Sequence, residues 1–200
     1  MGRASDRPDQ PSPADRAQRR TQSRESGCSS VAVTHGPGER VEVPTAADMH
    51  ELGRRLGRVL RAGDLVVLSG SLGAGKTTLV QGIGAGLRVR GPVTSPTFVI
   101  ARVHPALAGG PGLVHVDAYR LGSVAEVDDL DLDASLDDSV TVVEWGEGLV
   151  EGLAADRLEV HIEMSPDGDA RAVGMTGIGQ RWESVAESVR CGLPVTPKAI

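Results

Sequence analysis

The chain contains few aromatic residues, few cysteines and no asparagine. Aromatic residues make up 2% of its 200 residues while 40% are hydrophobic, so Val, Leu, Ile and Ala must fill the core. The two cysteines, Cys28 and Cys191, belong to no CxxC pair and no Cys/His cluster. We therefore expect neither a disulfide framework nor a zinc site, and we expect a reducing compartment, the cytoplasm.

The chain also lacks an excess of basic residues and long apolar segments. Its 27 acidic residues outnumber its 21 Lys and Arg residues, and the formal net charge is -6. This balance argues against a general nucleic-acid-binding surface, which needs a basic face. No apolar run approaches the roughly 20 residues of a membrane-spanning helix, and the N-terminal residues include no apolar segment typical of a signal peptide. We expect no membrane partner.

Composition changes along the chain predict one domain between two tails. Residues 1–38 are rich in Pro, Ser, Arg, Gln and Gly and contain almost no apolar residues. Such a segment buries too little apolar surface to offset the entropy lost on ordering, so we expect it to be disordered. Residues 39–191 are the predicted domain, and residues 192–200 are predicted to form a C-terminal tail.

Hydrophobic periodicity within the domain predicts interleaved strands and helices. Strands are predicted at residues 39–43, 65–68, 98–103, 113–117, 140–144, 157–164 and 171–176, the last two as a hairpin across residues 166–168. Helices are predicted at 46–61, 76–87 and 180–190, with a partly helical stretch at 123–139. This order predicts an α/β domain whose sheet is mostly parallel, with antiparallel additions at one side and helices on its flanks.

Local signals refine the first two helices. Thr45, followed three residues later by Asp48, resembles a capping box that starts the first helix. Gly63 is predicted to end that helix. The glycines of the second helix, Gly82 and Gly86 among them, are each expected to cost about 1 kcal/mol relative to alanine.

A glycine-rich stretch, GSLGAGKT from Gly70 to Thr77, fits the pattern G-x-x-x-x-G-K-[ST] at every fixed position. Glycines let successive backbone N–H groups point into one hollow, and the helix that follows adds its free N-terminal N–H groups. In such a loop Lys76 reaches the β- and γ-phosphates of a nucleotide and the Thr77 hydroxyl ligates Mg²⁺. We expect Thr78 to add a contact toward the α-phosphate.

Chance is the alternative explanation for this match, because the chain contains 26 glycines. Lysine is scarce, however, since Lys76 and Lys198 are the only two, and one of them occupies the motif position. An apolar strand precedes the loop, as a phosphate-binding loop requires. We therefore predict a phosphate site within a single P-loop NTPase-like domain.

Two of the predicted strands end in an acidic residue, Asp117 and Glu144. Ligands of open α/β sheets bind outside the carboxyl ends of the strands, so both acids are expected near the loop. Either acid alone is equally well explained as a surface cap, but the pair beside a phosphate loop favours metal or water chemistry. His115 is expected to be packed rather than catalytic. The hydroxyl-rich turn at residues 94–98 is better explained, from its residues alone, as an ordinary proline turn.

Taken together, these segments resemble the TsaE family, the small bacterial P-loop ATPases of tRNA threonylcarbamoyladenosine biosynthesis. The resemblance covers about residues 40–190 and depends on four motifs, which are GSLGAGKTT (70–78), SPTF (95–98), HVDAYRL (115–121) and EW (144–145). Ser71 stands where the family usually has Asp, and Leu79 stands where it usually has Phe. Neither position supplies a phosphate or metal contact.

The resemblance implies ATP and Mg²⁺ as cofactors, with the metal held by Thr77 and Glu144. It also implies that Asp117 and Lys76 are catalytic, with Asp117 acting in hydrolysis, and that residues 95–98 form a switch-like segment. The nucleotide contacts that it implies are Gly73, Ala74, Gly75, Lys76, Thr77, Thr78 and Trp145.

The family works with TsaD and TsaB, which transfer a threonylcarbamoyl group to the adenosine beside the tRNA anticodon. The resemblance implies that this chain binds the TsaD–TsaB pair and that its ATP hydrolysis permits the complex to turn over. Contact with tRNA is then indirect, through that complex. This agrees with an acidic chain that need not bind tRNA strongly itself.

Other classes of function fit part of the sequence. A small-molecule kinase would use the same loop and Asp117, but it needs a second substrate pocket and usually an Arg-bearing lid. Arg120 is available for that purpose, yet no lid segment is obvious. A GTP-dependent switch usually reads guanine with N-K-x-D, and this chain contains no asparagine. A transporter-type ATPase is disfavoured because no LSGGQ-like signature follows the loop.

Overall fold

The computed structural model describes residues 39–96, 98–130, 132, 136–165, 170–182 and 195–197, and the structural statements below concern these residues. The tail predicted at 1–38 and the hairpin turn predicted at 166–168 lie outside them. Most of the helix predicted at 180–190 also lies outside, and so does Thr97 of the SPTF motif.

The strands and helices mostly begin and end where the sequence predicts. The strands are β1 (Glu39–Val43), β2 (Leu65–Gly70), β3 (Ala101–His104), β4 (Gly112–Asp117), β5 (Ser139–Glu144), β6 (Arg157–Met164), β7 (Arg171–Ile178) and β8 (Val195–Pro197). The α-helices are α1 (Ala46–Val59), α2 (Lys76–Leu87) and α3 (Val124–Asp128), and short 3₁₀ turns lie at Ala118–Arg120 and Gln180–Trp182. The helix predicted at 76–87 is confirmed at both ends.

The strands form one mixed sheet in the order β3-β4-β5-β2-β6-β7-β1-β8. Its centre, β4-β5-β2-β6, is parallel. The outer pairings, β3 with β4, β6 with β7, β7 with β1 and β1 with β8, are antiparallel. The α/β class, with parallel central strands and antiparallel additions, is therefore confirmed. Among the described strands three pairings are parallel and four are antiparallel, so the sheet is mixed rather than mostly parallel. The additions lie at both ends of the sheet rather than at one side, because β3 folds back onto β4 at the end opposite β7.

The strand predicted at 98–103 is wrong in its first three residues, since β3 begins at Ala101. The backbone N–H groups of Val99 and Ile100 both donate to the Pro96 carbonyl oxygen, at 2.7 and 2.8 Å. These bonds close a turn, and Ile100 follows at φ +67°. A β-branched residue at positive φ is a rare conformation, so this segment bends sharply before it joins the sheet.

The C-terminal tail predicted at 192–200 needs a correction, because Val195–Pro197 pairs antiparallel with β1. Without this partner β1 would present a row of unpaired N–H and C=O groups at the edge of the sheet, and such an edge is a template for further pairing. Pro194, directly before this short strand in the sequence, and Pro197, its last residue, give no sequence signal for it.

Helix α1 begins as predicted but ends earlier. The Thr45 side chain accepts from the backbone N–H of Asp48 at 3.1 Å, and the backbone N–H of Thr45 donates to the Asp48 carboxylate at 3.1 Å. The capping box is thus confirmed. The helix ends at Val59 because Leu60 already has an extended conformation. Gly63, with φ +87°, instead turns the chain toward β2.

Apolar side chains of β2 pack on both faces of the sheet. Val66 and Leu68 belong to the core beneath α1 and α2, and Leu65 and Val67 belong to a second core with α3. A strand covered on both faces is typical of the centre of a parallel sheet. None of the helices in this described part of the chain has an apolar segment long enough to cross a membrane.

Helices α1 and α2 approach each other backbone to backbone along four glycines. A Cβ placed on Gly53 or Gly57 of α1 would overlap a backbone carbonyl of α2, and a Cβ on Gly82 or Gly86 of α2 would overlap one of α1. We call these four residues the glycine seam. Gly82 and Gly86, which helix propensity marks as weak points of α2, are therefore among the residues that let the two helices touch.

Candidate functional site

The candidate site lies at the carboxyl ends of three neighbouring parallel strands. The glycine-rich loop connects β2 to α2, and Asp117 and Glu144 end β4 and β5. Strand register places Asp117 beside Glu144 and Glu144 beside Leu68 of β2. Both acids are therefore brought next to the loop, as expected of the ligand-binding edge of an α/β sheet.

The loop needs glycine at three of its positions. Gly70, Gly73 and Gly75 have φ of +137°, +80° and +107°, which only glycine adopts without strain. A Cβ on Gly70 would also overlap the Ile162 carbonyl oxygen of β6. Gly75 caps the N-terminus of α2 without a side chain of its own, which leaves room for an anion beside the first N–H groups of that helix.

Lys76 lies folded back across the loop. Its Nζ donates to the carbonyl oxygens of Gly70 and Ser71, at 2.9 and 3.0 Å, and lies 3.7 Å from the centre of the Trp145 ring. Burial lowers the pKa of Lys76 below its ordinary value, and the negative charges of Glu144 and Asp117 partly oppose that shift. The ammonium group is thus held at the loop by acceptors that an incoming anion can replace.

Glu144 accepts two hydrogen bonds on one oxygen. The Thr77 hydroxyl donates to Glu144 Oε1 at 2.9 Å, and His115 Nε2 lies 2.9 Å from the same atom. Both His115 and Glu144 are buried. The sequence analysis places His115 in the core, which is where it lies, but it does not predict the contact with Glu144. The available signal was the two-residue spacing of His115 and Asp117, which puts both side chains on one face of β4.

Asp117 is buried at the start of the 3₁₀ turn that follows β4. Its Oδ1 accepts from the backbone N–H of Tyr119 at 3.1 Å, and its own backbone N–H donates to the Ile100 carbonyl oxygen at 2.8 Å. The carboxylate is therefore oriented by the turn after it, while its backbone is joined to the bend that precedes β3.

Aromatic side chains form the rim of the site. Trp145 has φ +61° and donates its backbone N–H to the Leu68 carbonyl oxygen at 2.9 Å. The Trp145 ring packs against that of Tyr119, with centroids 5.3 Å apart. Phe98 is 86% exposed, and the Arg120 guanidinium lies 5.2 Å from its ring centre.

These groups surround a cavity of about 370 Å³. The residues that line it are Leu72, Gly73, Gly75, Lys76, Thr77, Thr78, Ser95, Asp117, Tyr119, Glu144 and Trp145. All the site residues predicted from the sequence thus come together here except Ala74, whose side chain is buried in the core. Leu72 lines the cavity without having been predicted to do so.

The oxygen groups of the site fit a hard divalent cation. Among the described residues no three His, Cys, Asp or Glu side chains form a group that could hold a metal. Magnesium does not require one, because it is usually bound through one or two carboxylates together with substrate phosphates and water. The adjoining Thr77 hydroxyl and Glu144 carboxylate provide protein oxygens of the right kind beside the loop.

A mixed α/β sheet with this loop after a central strand and acids at the ends of the adjacent strands defines a P-loop domain. A family model described as threonylcarbamoyl adenosine biosynthesis protein TsaE matches residues 43–173. The chain therefore belongs to the TsaE family of threonylcarbamoyladenosine biosynthesis proteins, as the resemblance of its motifs predicts.

Relatives and a solved structure agree with this assignment. A tRNA threonylcarbamoyladenosine biosynthesis protein TsaE from Streptomyces coelicolor is 64% identical over 148 residues, which cover 72% of this chain and 100% of that protein. The protein of the same name from Bacillus subtilis is 37% identical over 130 residues, which cover 64% of this chain and 79% of that protein. The crystal structure of Bacillus subtilis YdiB superposes with a TM-score of 0.62 at 27% identity, covering 76% of this chain and 94% of YdiB.

Proposed function

We propose that this protein is a Mg²⁺-dependent ATPase that is required for threonylcarbamoyladenosine modification of tRNA. The observation that carries the proposal is the meeting of Lys76, Thr77, Asp117 and Glu144 at one cavity beside a phosphate-type loop. Membership of the TsaE family supports the pathway. The cavity supports the chemistry, because phosphoryl transfer is catalysed mainly by positioning and by neutralising charge.

The residues of the cavity have distinct tasks in this proposal. The loop from Gly73 to Gly75 donates backbone N–H groups to the phosphates of ATP, together with Lys76 and Thr78. To reach the phosphates, the Lys76 ammonium exchanges the carbonyl oxygens of the loop for phosphate oxygens. Trp145 bounds the nucleotide at the rim.

Thr77 and Glu144 are the residues that would hold Mg²⁺, which neutralises charge on the β- and γ-phosphates when it is bound. Asp117 orients the attacking water through its carboxylate, or accepts its proton there. Its burial and its bond from the Tyr119 N–H hold the carboxylate in one orientation toward the cavity.

The partners proposed for the protein are TsaD and TsaB. Binding to their complex and hydrolysing ATP there permits the complex to complete further rounds of transfer to tRNA. The net charge of -6 supports indirect rather than direct contact with tRNA. We place this activity in the cytoplasm. That compartment is reducing, which suits a chain with few cysteines.

Phosphate release from Mg²⁺-ATP tests the proposal. The purified protein should release phosphate slowly, well below the roughly 1–10³ s⁻¹ of typical enzymes, and addition of TsaD and TsaB should raise the rate clearly. The Lys76→Ala variant provides the background for contaminating ATPases. Tight ATP binding without phosphate release in either condition would overturn the proposal, and would instead favour transfer of the phosphoryl group to a small-molecule acceptor.

A further inference from the structure

Near the cavity, the polar imidazole ring of His115 lies in an apolar core. His115 has no exposed surface, yet its neighbours on the same face of β4 and β5 include Leu113 and Val142 of the main core. Burying a polar group is costly unless a hydrogen bond compensates for it. The hydrogen bond that compensates here is the one between His115 Nε2 and Glu144 Oε1.

The position of the hydrogen in that bond follows from its partner. An ionised carboxylate only accepts hydrogen bonds, so His115 Nε2 must carry the hydrogen and donate it to Glu144. The other ring nitrogen, Nδ1, is buried and has no hydrogen-bond partner among the described residues. Among the described residues, the His115 ring therefore makes its side-chain hydrogen bond to Glu144 and does not link Glu144 to a second group.

Both donors meet Glu144 on the same oxygen. The Thr77 hydroxyl and His115 Nε2 each lie 2.9 Å from Oε1. The last torsion of a glutamate side chain is broad, so one donor alone leaves the carboxylate free to rotate. Two donors from different elements, α2 and β4, limit that rotation and leave Oε2 for another ligand. Because Thr77 itself is assigned to the cation, His115 is the donor whose only task is to hold Glu144.

We propose that His115 is a positioning residue, which holds the Glu144 carboxylate in the orientation that binds the divalent cation. The inference rests on the proposed function, in which Glu144 is a Mg²⁺ ligand. Hydrogen bonds to a ligating group typically change metal affinity or activity by about 10–100-fold when they are removed. The contact should therefore set how much Mg²⁺ the protein needs, while leaving the binding of the nucleotide itself to the loop.

Two variants of matched size test this inference. His115→Leu fills the same space without a donor, and His115→Gln keeps an N–H donor at nearly the position of Nε2. Calorimetry would measure binding of a non-hydrolysable ATP analogue, first in EDTA and then across a MgCl₂ titration. We expect His115→Leu to raise the half-saturating Mg²⁺ concentration by about tenfold or more, with affinity in EDTA unchanged. His115→Gln should remain close to the wild type.

The Glu144→Gln variant separates the two ways in which the experiment can fail. If it leaves the Mg²⁺ dependence unchanged, Glu144 is not a metal ligand and the proposed function loses its metal site. If Glu144→Gln shifts the dependence but His115→Leu does not, only the positioning role of His115 is overturned. A His115→Gln variant that needs as much Mg²⁺ as His115→Leu would also overturn it.

A spectroscopic measurement on the wild-type protein keeps the inference testable even where His115→Leu does not fold. Nitrogen-15 NMR of labelled histidine reports which ring nitrogen carries the hydrogen. The inference requires the hydrogen at Nε2 of His115. A hydrogen on Nδ1 alone would contradict it, because Nε2 would then have nothing to donate to Glu144.

Discussion

At the scale of single residues, the charged state of Lys76 depends on the two carboxylates of the cavity. Burial lowers the pKa of Lys76, and the carboxylates of Glu144 and Asp117 act against that shift. The ammonium is further held by the carbonyl oxygens of Gly70 and Ser71 and by the face of Trp145. A triphosphate offers stronger, charged acceptors in place of these carbonyls. Lys76 is thus already located where a phosphate would need it.

Replacing Lys76 and Asp117 separately should distinguish binding from hydrolysis. Lys76→Ala should weaken ATP binding and abolish turnover, since the cation that meets the phosphates is lost. Asp117→Ala should abolish turnover while ATP affinity stays near the wild-type value, because Asp117 is assigned to the water rather than to the nucleotide. Equilibrium binding of ATP and phosphate release, measured on the same preparations, check both expectations. Normal hydrolysis by Asp117→Ala would contradict its assigned role.

At the scale of elements, the glycine seam connects packing to the site. Helix α2 begins at Lys76, so the depth at which it packs against α1 sets the position of the phosphate loop relative to β2. Any larger residue in the seam meets the backbone of the facing helix, not a flexible side chain. The seam therefore holds the loop through a backbone-to-backbone contact between the two helices.

Alanine in the seam should destabilise the protein although alanine favours helix. Gly82→Ala adds a methyl group that overlaps the His50 carbonyl oxygen of α1. Overpacking of this kind costs about 1–3 kcal/mol, and it should outweigh the gain of roughly 1 kcal/mol from helix propensity. Chemical denaturation would measure the change in the free energy of unfolding.

Gly174→Ala on β7 is the matched control for that experiment. A Cβ at Gly174 meets nothing within 4 Å, so its substitution should leave the stability unchanged or slightly improved. If Gly82→Ala were as stable as Gly174→Ala, the two helices would not touch as closely as described.

At the scale of the whole molecule, one arginine joins two distant parts of the chain. Arg181, after β7, donates to the Asp64 carboxylate from Nε at 3.2 Å and from Nη2 at 2.9 Å. It also donates to the Val59 carbonyl oxygen at the end of α1, at 2.9 Å. Asp64 in turn accepts from the backbone N–H of Arg61 at 2.9 Å. This partly buried cluster ties the segment after β7 to the connection between α1 and β2.

Removing only Arg181 from the Arg181–Asp64 ion pair should lower the free energy of unfolding more than removing both charges. Arg181→Met leaves the Asp64 carboxylate buried without its partner, which typically costs about 3–5 kcal/mol. The double variant Arg181→Met/Asp64→Asn removes the buried charge and retains an acceptor for Arg61, so it should be the more stable of the two. Denaturation of the single and double variants in one buffer checks this order. A double variant that is less stable than Arg181→Met would contradict the account of the cluster.

Features that depend on neighbouring residues were accessible from the sequence. The bounds of α2, the capping box of Thr45 and Asp48 and most strands follow from periodicity and spacing within a few residues. The loop from Gly70 to Thr77 is equally local, because its conformation depends on its own glycines at positive φ. Motif order then sufficed to identify the TsaE family. These features depend on interactions between residues close together in the sequence, so the sequence by itself determined them.

Features that depend on two distant segments were decided only by the tertiary structure. The seam puts glycines of α1 against glycines of α2, and β8 pairs with β1 from the other end of the chain. The contact of His115 with Glu144 joins residues on different strands, 29 positions apart in sequence. Sequence reasoning assigned a purely local meaning to several of these residues: Gly82 and Gly86 as weak helix positions, residues 195–197 as part of a tail, and His115 as a packed ring. Their actual roles arise from partners that only folding brings within contact distance.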